Sequence, residues 1–280
     1  MTQATLLIPA HNEASVIDRT LLHLSRGLSW DTFRIVVIAN GCSDATASRA
    51  RSVLPQATVI ETETPGKCNA LNLGFQKADK DKPVICLDAD IDVTAEALVA
   101  LIEPLTNGTA LAACGRMDVC TSGASLLVRA YYKGWATNPY FDRGKFGGLF
   151  ALSPDAVARV FPLPHITADD EFIRRSFAPG ETALVDNCRF GVRAPQTLAS
   201  LARVRRRSLR GARQITTLGL ASPERGSIGS VVRRAALNPK TVPDVAIYAC
   251  VNAWVRFNLA VQPKHEGLTW ERDLTTRGAG

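Results

Sequence analysis

The chain has 280 residues, 46% hydrophobic and 21% charged, a composition that fits a globular protein with one large α/β domain or two small ones. It lacks an early segment combining a basic start, an apolar core and a small-residue cleavage site. It also lacks the roughly 20 uninterrupted apolar residues of a membrane span, so a cytoplasmic protein is expected. The net charge of +7 is uneven: residues 201–280 hold 14 of the 33 Lys and Arg but only 5 of the 26 Asp and Glu, making that part +9 against −2 for residues 1–200.

Such asymmetry points to an anionic partner: phosphate groups, membrane lipid or nucleic acid. The seven scattered cysteines, several inside apolar runs (Cys86, Cys114, Cys250), read as buried reduced thiols. No CxxC pair suggests zinc.

The first 110 residues alternate strand-like and helix-like segments. Thr5-Leu-Leu-Ile8 is a short apolar run closed by Pro9-Ala-His11-Asn12-Glu13, and Val16, Ile17, Leu21, Leu24 and Leu28 then mark one helical face. Ile35-Val-Val-Ile38 ends in Asn40-Gly41-Cys42-Ser43-Asp44, where Asp44 suits a cap for a helix running to about Val53. Thr58-Val-Ile60 leads through Pro65-Gly66-Lys67 into a helix with Ala70, Leu71, Leu73 and Phe75. Pro83 to Leu87 is a fourth strand, and Thr94 to Leu105 the next helix. This alternation predicts βαβ units, hence a parallel sheet with right-handed crossovers.

Beyond residue 110, Ala110 to Val119 predicts a longer strand. An aromatic-rich segment follows from Leu126 to Lys145, with Tyr131, Tyr132, Trp135, Tyr140 and Phe141. Gly147-Gly148-Leu-Phe-Ala-Leu predicts a strand running into a helix with Ser153 as N-cap and Pro154 at its first position. Thr167-Ala-Asp169-Asp170-Glu171 carries acids into a further helix. Two short strands, Ala183 to Val185 and Arg189 to Val192, close the body, and Pro223 to Ser230 is the best hinge candidate. Val242 to Ala260 is a mostly apolar helix that Asp244, Asn252, Arg256 and Asn258 interrupt. The Trp270–Asp273 stretch is too mixed to assign.

Chemistry concentrates at Asp88-Ala89-Asp90-Ile-Asp92, just past the carboxyl end of the fourth strand, where open α/β sheets bind ligands. Residues two apart in an extended chain share a side, so Asp88 and Asp90 suit one hard cation, Mg or Mn. Acids after a strand are also ordinary loop decoration, and Asp92 reads as a loop carboxylate or a cap. Asp169 and Asp170 suit proton abstraction, because like charges raise one member's pKa. Equally, they and Thr167 suit the N-terminus of a helix. Lys67 is either a phosphate-facing cation at a helix start or a solvated lysine. His165 reads more simply as a loop residue than as a ligand.

The order of these motifs resembles the inverting family-2 glycosyltransferases, over roughly residues 5–215. The resemblance implies a GT-A nucleotide-diphosphosugar transferase fold, an α/β Rossmann-like, mostly parallel sheet with flanking helices. Here that fold carries a basic helical C-terminal extension. It implies a catalytic domain over 1–215, with a nucleotide half to about 110 and an acceptor half beyond, and an extension over 216–280. By resemblance, Pro9, Ala10, His11, Asn12 and Glu13 form the nucleoside turn. Asn40 stands where relatives usually start an acidic pair, which bears on which base is recognised. Gly66-Lys67-Cys-Asn-Ala70-Leu71-Asn72 matches the Gly-Lys-x-x-Ala-Leu-Asn segment, and Asp88-Ala89-Asp90 the DxD metal motif. Gly147 and Gly148 match acceptor-side glycines, with Trp135 in the acceptor half. Asp170, with Asp169 as runner-up, falls at the catalytic base.

Six arginines lie between Arg203 and Arg213. By resemblance, Val204-Arg205-Arg206-Arg207-Ser208 aligns with a Gln-x-x-Arg-Trp motif whose Gln and Trp are missing, which speaks against a processive synthase. Arg206 or Arg207 suits a bidentate grip on diphosphate. So dense a run also fits an anionic membrane surface, while the lack of nearby aromatics makes nucleic acid unexpected. The implied function is metal-dependent transfer of a hexosyl group from a nucleotide diphosphate sugar, UDP before GDP, to an acceptor hydroxyl with inversion. The acceptor is open. Two rivals are an inactive binding protein recruited to anionic surfaces and a sugar nucleotidyltransferase. The second would want a glycine- and arginine-rich loop after the first strand.

Overall fold

The computed structural model describes residues 3–139, 144–220 and 228–261. Tyr140, Phe141, the Pro223–Ser227 part of the hinge candidate and Trp270–Asp273 lie outside the described residues. The first four strands are β1 (Ala4–Ala10), β2 (Phe33–Asn40), β3 (Thr58–Thr62) and β4 (Val84–Leu87). Between and after them run α1 (Ile17–Ser25), α2 (Thr46–Val53), α3 (Lys67–Phe75) and α4 (Ala95–Thr106). Then come β5 (Ala112–Cys120), α5 (Leu126–Ala136), β6 (Leu149–Leu152), α6 (Pro154–Val160), α7 (Asp169–Arg175) and β7 (Thr182–Arg193). Three further helices follow: α8 (Leu198–Thr217), α9 (Ile228–Leu237) and α10 (Val242–Val261).

The seven strands form one sheet in the order β3-β2-β1-β4-β6-β5-β7. β1, β2, β3 and β4 make the expected parallel block, and β6 pairs antiparallel with both β4 and β5. β1 and β4 are buried at every position, as strands covered on both faces must be. Alternation sends Leu6 and Ile8 to the face covered by Ile17, Leu21, Leu24 and Leu98. Leu7, between them, packs with Ala70, Leu71, Val157 and Ile173 on the other. The predicted cap forms on Ser153, whose hydroxyl accepts from the Ala156 N–H at 3.2 Å, and Thr94 caps α4 by accepting from the Ala97 N–H at 3.3 Å.

One expectation is corrected. The two short strands after Thr182 are a single strand, β7, running through Asp186 and Asn187. β7 is an edge strand, so polar residues sit there without burial cost. Asp186 pairs with Arg116 and Arg189 with Asp118, tying β7 to β5 through exposed contacts.

The chain divides into two compact units, residues 1–118 with 144–192, and 119–143 with 193–280. The first holds the sheet core. The second gathers α5, α8 and α10 around Tyr131, Leu201, Val251 and Val255. There Gly134 lets α10 approach α5: a Cβ on it would lie 2.3 Å from the Asp244 carbonyl. Tyr131 is a core residue, packed against Tyr132 and Tyr248, and burial pushes its phenol up to about 12. All seven cysteines are free, and Cys86 and Cys114 are buried as expected. Cys250 is not; it is exposed on α10.

Candidate active site

Five segments converge at the carboxyl ends of the parallel strands, and backbone contacts explain how each is held. After β1, Asn12 adopts a left-handed conformation (φ 51°) and its Oδ1 accepts from the Ser43 N–H at 2.7 Å. Glu13, buried, donates its N–H to the Thr46 hydroxyl at 2.8 Å, and Ala14 donates to Asp44 at 3.1 Å. Asp44 therefore ties the turn after β1 to the start of α2, which it caps by accepting from the Thr46 N–H at 3.0 Å.

Asn40 turns out to be the knot between three segments. It is buried, its amide donates to the Ala10 carbonyl at 2.8 Å, and its Oδ1 accepts from the Gly66 N–H at 3.0 Å. The His11 ring and the Asn40 carbonyl meet at 2.5 Å. A carboxylate at position 40 has no proton to offer the Ala10 carbonyl, so the amide is what this arrangement uses.

Lys67, the first residue of α3, is a partly buried, paired cation rather than a freely solvated one, its side chain 15% exposed. Its Nζ lies 2.7 Å from Asp88 Oδ1 and 2.9 Å from Asp169 Oδ2. The second contact is an ion pair that lacks the angle of a directed hydrogen bond. Burial alone would lower the Lys67 pKa, but Asp169, Asp88 and Asp170 together raise it well above the usual lysine value. Burial pushes Asp169 up, Lys67 pulls it down, and Asp170 and Asp88 push again, leaving it at about 6.

The acidic pair divides. Asp169 points inward to Lys67, whereas Asp170 is partly exposed and its Oδ1 accepts from the neighbouring Glu171 N–H at 2.8 Å. Both members act on the charged cluster, Asp169 by direct contact with Lys67 and Asp170 through its charge.

The glycines have separate reasons. Gly148 has φ +86°, and its carbonyl accepts from the Asp88 N–H at 2.8 Å. An added Cβ would come within 2.7 Å of Asp88 Oδ2 and 2.6 Å of Ile91 Cδ1. A Cβ on Gly147 would instead strike Met117 Cε at 2.2 Å. Ala89 is buried and Asp90 half-buried.

Sequence reasoning missed two devices. Arg19 on α1 pairs with Asp92 at 2.8 Å and donates to the Asp90 carbonyl at 3.1 Å, so Asp92, partly exposed, anchors the acidic loop, and Thr94 rather than Asp92 caps α4. A backbone bridge from Asp92 to Gly191 fixes it further. Asn72 on α3 grips Leu163 at both its N–H and its carbonyl, at 2.7 and 3.0 Å, holding the segment that leads to Asp169. An asparagine one helical turn and more past the partly buried lysine was the available signal. His165 is exposed, as a loop residue should be.

Pro9 to Glu13, Asn40, Lys67, Asp88 to Asp90, Gly147, Gly148, Asp169 and Asp170 all belong to the first unit. Trp135, Arg206 and Arg207 belong to the second. There Trp135 packs edge-on against Tyr132 at 5.9 Å, and both arginines are half-buried on α8.

The parallel block with acids at its carboxyl ends defines a class, an α/β protein whose ligand side is built from strand-to-helix turns. The sequence profile of Glycosyl transferase family 2 matches residues 5–157, more than half of the chain, and the protein belongs to that family. Solved structures share its GT-A fold. The mannosyltransferase PcManGT from Pyrobaculum calidifontis, in complex with GDP-Man and Mn2+, is 18% identical with a TM-score of 0.60, covering 92% of this chain and 78% of that one. Glucosyl-3-phosphoglycerate synthase from Mycobacterium tuberculosis, with Mn2+, UDP and glucosyl-3-phosphoglycerate, is 18% identical with a TM-score of 0.57, covering 79% and 81%. Dolichol-phosphate mannosyltransferase of Pyrococcus furiosus is 27% identical over 113 residues, 39% of this chain and 32% of the relative. The chain spans about a third of the length of the curated relatives it matches. Among the described residues, no helix is long and apolar enough to cross a membrane.

Proposed function

We propose that the protein is a non-processive glycosyltransferase that moves a hexosyl group from a nucleotide diphosphate sugar to an acceptor hydroxyl with inversion. UDP is favoured as the nucleotide. The observation that carries this reading is the partly buried Lys67 shared between Asp88 and Asp169, which joins the strand-end acid to the α7 acid through one cation.

A hard cation fits the donor set. Asp88 and Asp90 offer only oxygen, and Gly148 leaves open the side of Asp88 Oδ2 that a Cβ would fill. Among the described residues no three acidic, His or Cys side chains group as a ready metal cage. Two carboxylates suit Mg or Mn that arrives with a diphosphate, which supplies the remaining oxygens. When bound, the cation would offset charge on the departing diphosphate.

The chain's own residues do the rest. The turn from Pro9 to Glu13, braced by Asn40, shapes the nucleoside side, and Lys67 at the start of α3 adds positive charge where phosphate would lie. Of the acidic pair, Asp169 is the better base on physical grounds. A carboxylate held at about 6 is ionised at neutral pH yet basic enough to take the acceptor's proton. Gly147 and Gly148 lie on the acceptor side, beside Asp88.

A thermal-shift series with UDP, GDP and ADP, each with and without Mn, tests this. Stabilisation by a nucleoside diphosphate that requires the metal is the expected result. Indifference to every nucleotide would overturn it.

A further inference from the structure

We propose that the second unit is a docking surface for an anionic lipid bilayer, with the outer face of α10 as its apolar contact. Charge in this chain is divided between the units. Residues 119–143 and 193–280 carry 18 Lys and Arg and 6 Asp and Glu, net +12, whereas the remaining residues carry 15 and 20, net −5. Among the described residues of the second unit there are 13 cations and a single acid, Asp244, so neutralisation from within the unit is arithmetically impossible.

α10 presents an unusual face alongside that charge. At 100° per residue, Val242, Ala246, Ala253, Trp254, Phe257 and Val261 fall on one side of the helix, and all six are exposed. The large ones expose much of their surface: 48% for Val242, 45% for Trp254 and 67% for both Phe257 and Val261. The opposite side packs inward through Val245, Val251, Val255 and Leu259. Isolated exposed apolar residues need no explanation, but a continuous stripe ending in Trp and Phe does.

A cation borders the stripe: Arg256 is exposed at its edge. An aromatic-ended apolar face edged by a guanidinium group, on a unit of net +12, matches the interfacial layer of a bilayer, where rings sit at headgroup depth and cations meet lipid phosphates. The same charge argues against a second copy of this chain, since two units of net +12 repel. No helix in the described residues is long and apolar enough to span, so the contact is peripheral.

The test uses the full chain, with Cys42→Ser and Cys120→Ser introduced and Cys250, which is exposed on the same helix, labelled with an environment-sensitive fluorophore. Vesicles of neutral phosphatidylcholine are compared with vesicles containing about 30% phosphatidylglycerol. The expected result is flotation with the anionic vesicles only, with a blue-shifted label. Binding should fall tenfold or more in Phe257→Asp and about fivefold in Arg256→Ala, since one surface cation near an anionic leaflet is worth about that factor. About 1 M salt, which shrinks the screening length to about 3 Å, should release most of it. Circular dichroism matching the parent shows that Phe257→Asp still folds, as an exposed position permits. Three results overturn the proposal: equal binding to both vesicle types, unchanged binding in Phe257→Asp, or a label already in an apolar environment in buffer. The last would mean that a second copy or residues 262–280 cover the face. Retention on nucleic acid with no vesicle binding would equally overturn it.

Discussion

At the scale of single residues, the reading turns on which acid takes the proton. Asp169→Asn should lower kcat by about 10²–10⁴-fold, the range for removing a positioned general base, and Asp170→Asn by much less. Steady-state turnover with a UDP-sugar measures both, and the reverse order would return the role to Asp170. The pH dependence gives an independent check with opposite signs for activity and stability. Burial raises Asp169 to about 6, so kcat/KM should climb as pH rises through about 6 and the carboxylate forms. Stability moves the other way. The folded state keeps a proton that the unfolded chain loses near 4, so this contribution is full below that value and lost as pH rises through about 6. Lys67→Met removes the charge that holds Asp169 down, and the acidic limb of kcat/KM should then shift to higher pH. Gly148→Ala tests the neighbouring carboxylate. At φ +86°, with Asp88 Oδ2 only 2.7 Å from the new Cβ, it should cost about 1–3 kcal/mol in urea unfolding and weaken Mn-dependent nucleotide binding tenfold or more.

At the scale of elements, α3 is the organiser. Lys67 gathers two acids, Cys68 donates to the Ile166 carbonyl at 3.4 Å, and Asn72 grips Leu163, so one helix positions the whole segment before α7. Asn72→Ala leaves a buried N–H and carbonyl of Leu163 to find other partners, at a cost of about 1–3 kcal/mol. Its kcat should fall more than its nucleotide affinity, because the loosened segment carries Asp169 and not the nucleoside turn; equal losses would contradict that division. Much of this was legible in the sequence. The apolar runs at Leu6–Ile8 and Ile35–Ile38 gave parallel strands because continuous burial leaves a continuous hydrophobic signal. The β7 edge was illegible for the converse reason: its exposed Asp186 and Asn187 look like a turn when an edge strand tolerates them. The pairings of Arg19 and Asn72 were not legible because their partners lie 73 and 91 residues away, and no local pattern encodes such pairs.

At the scale of the whole molecule, α5 departs from what chain order suggests. It lies between two strands of the sheet in sequence, yet its side chains pack with α8 and α10 around Tyr131. Helical periodicity in the aromatic segment announced a helix but not its companions, since Tyr131 and Trp135 read the same whether they face a ligand or a core. Hydrogen exchange can separate the roles of the two units without cutting the chain. Adding UDP and Mn together should slow exchange at residues 9–13, 40–44, 66–70, 88–92 and 147–149, because ligand binding stabilises the segments it touches. Each ligand alone should do far less. In the ligand-free protein Lys67 already compensates Asp88 and Asp169, so a cation without diphosphate meets a competing ammonium, and a diphosphate without a cation meets the carboxylates of the strand-end loop. Binding of either must then favour binding of the other by the same factor. Protection that extends to 203–210 would place Arg206 and Arg207 in the donor site. Protection confined to the first unit would leave the arginines of α8 to another anion, which the vesicle experiment identifies.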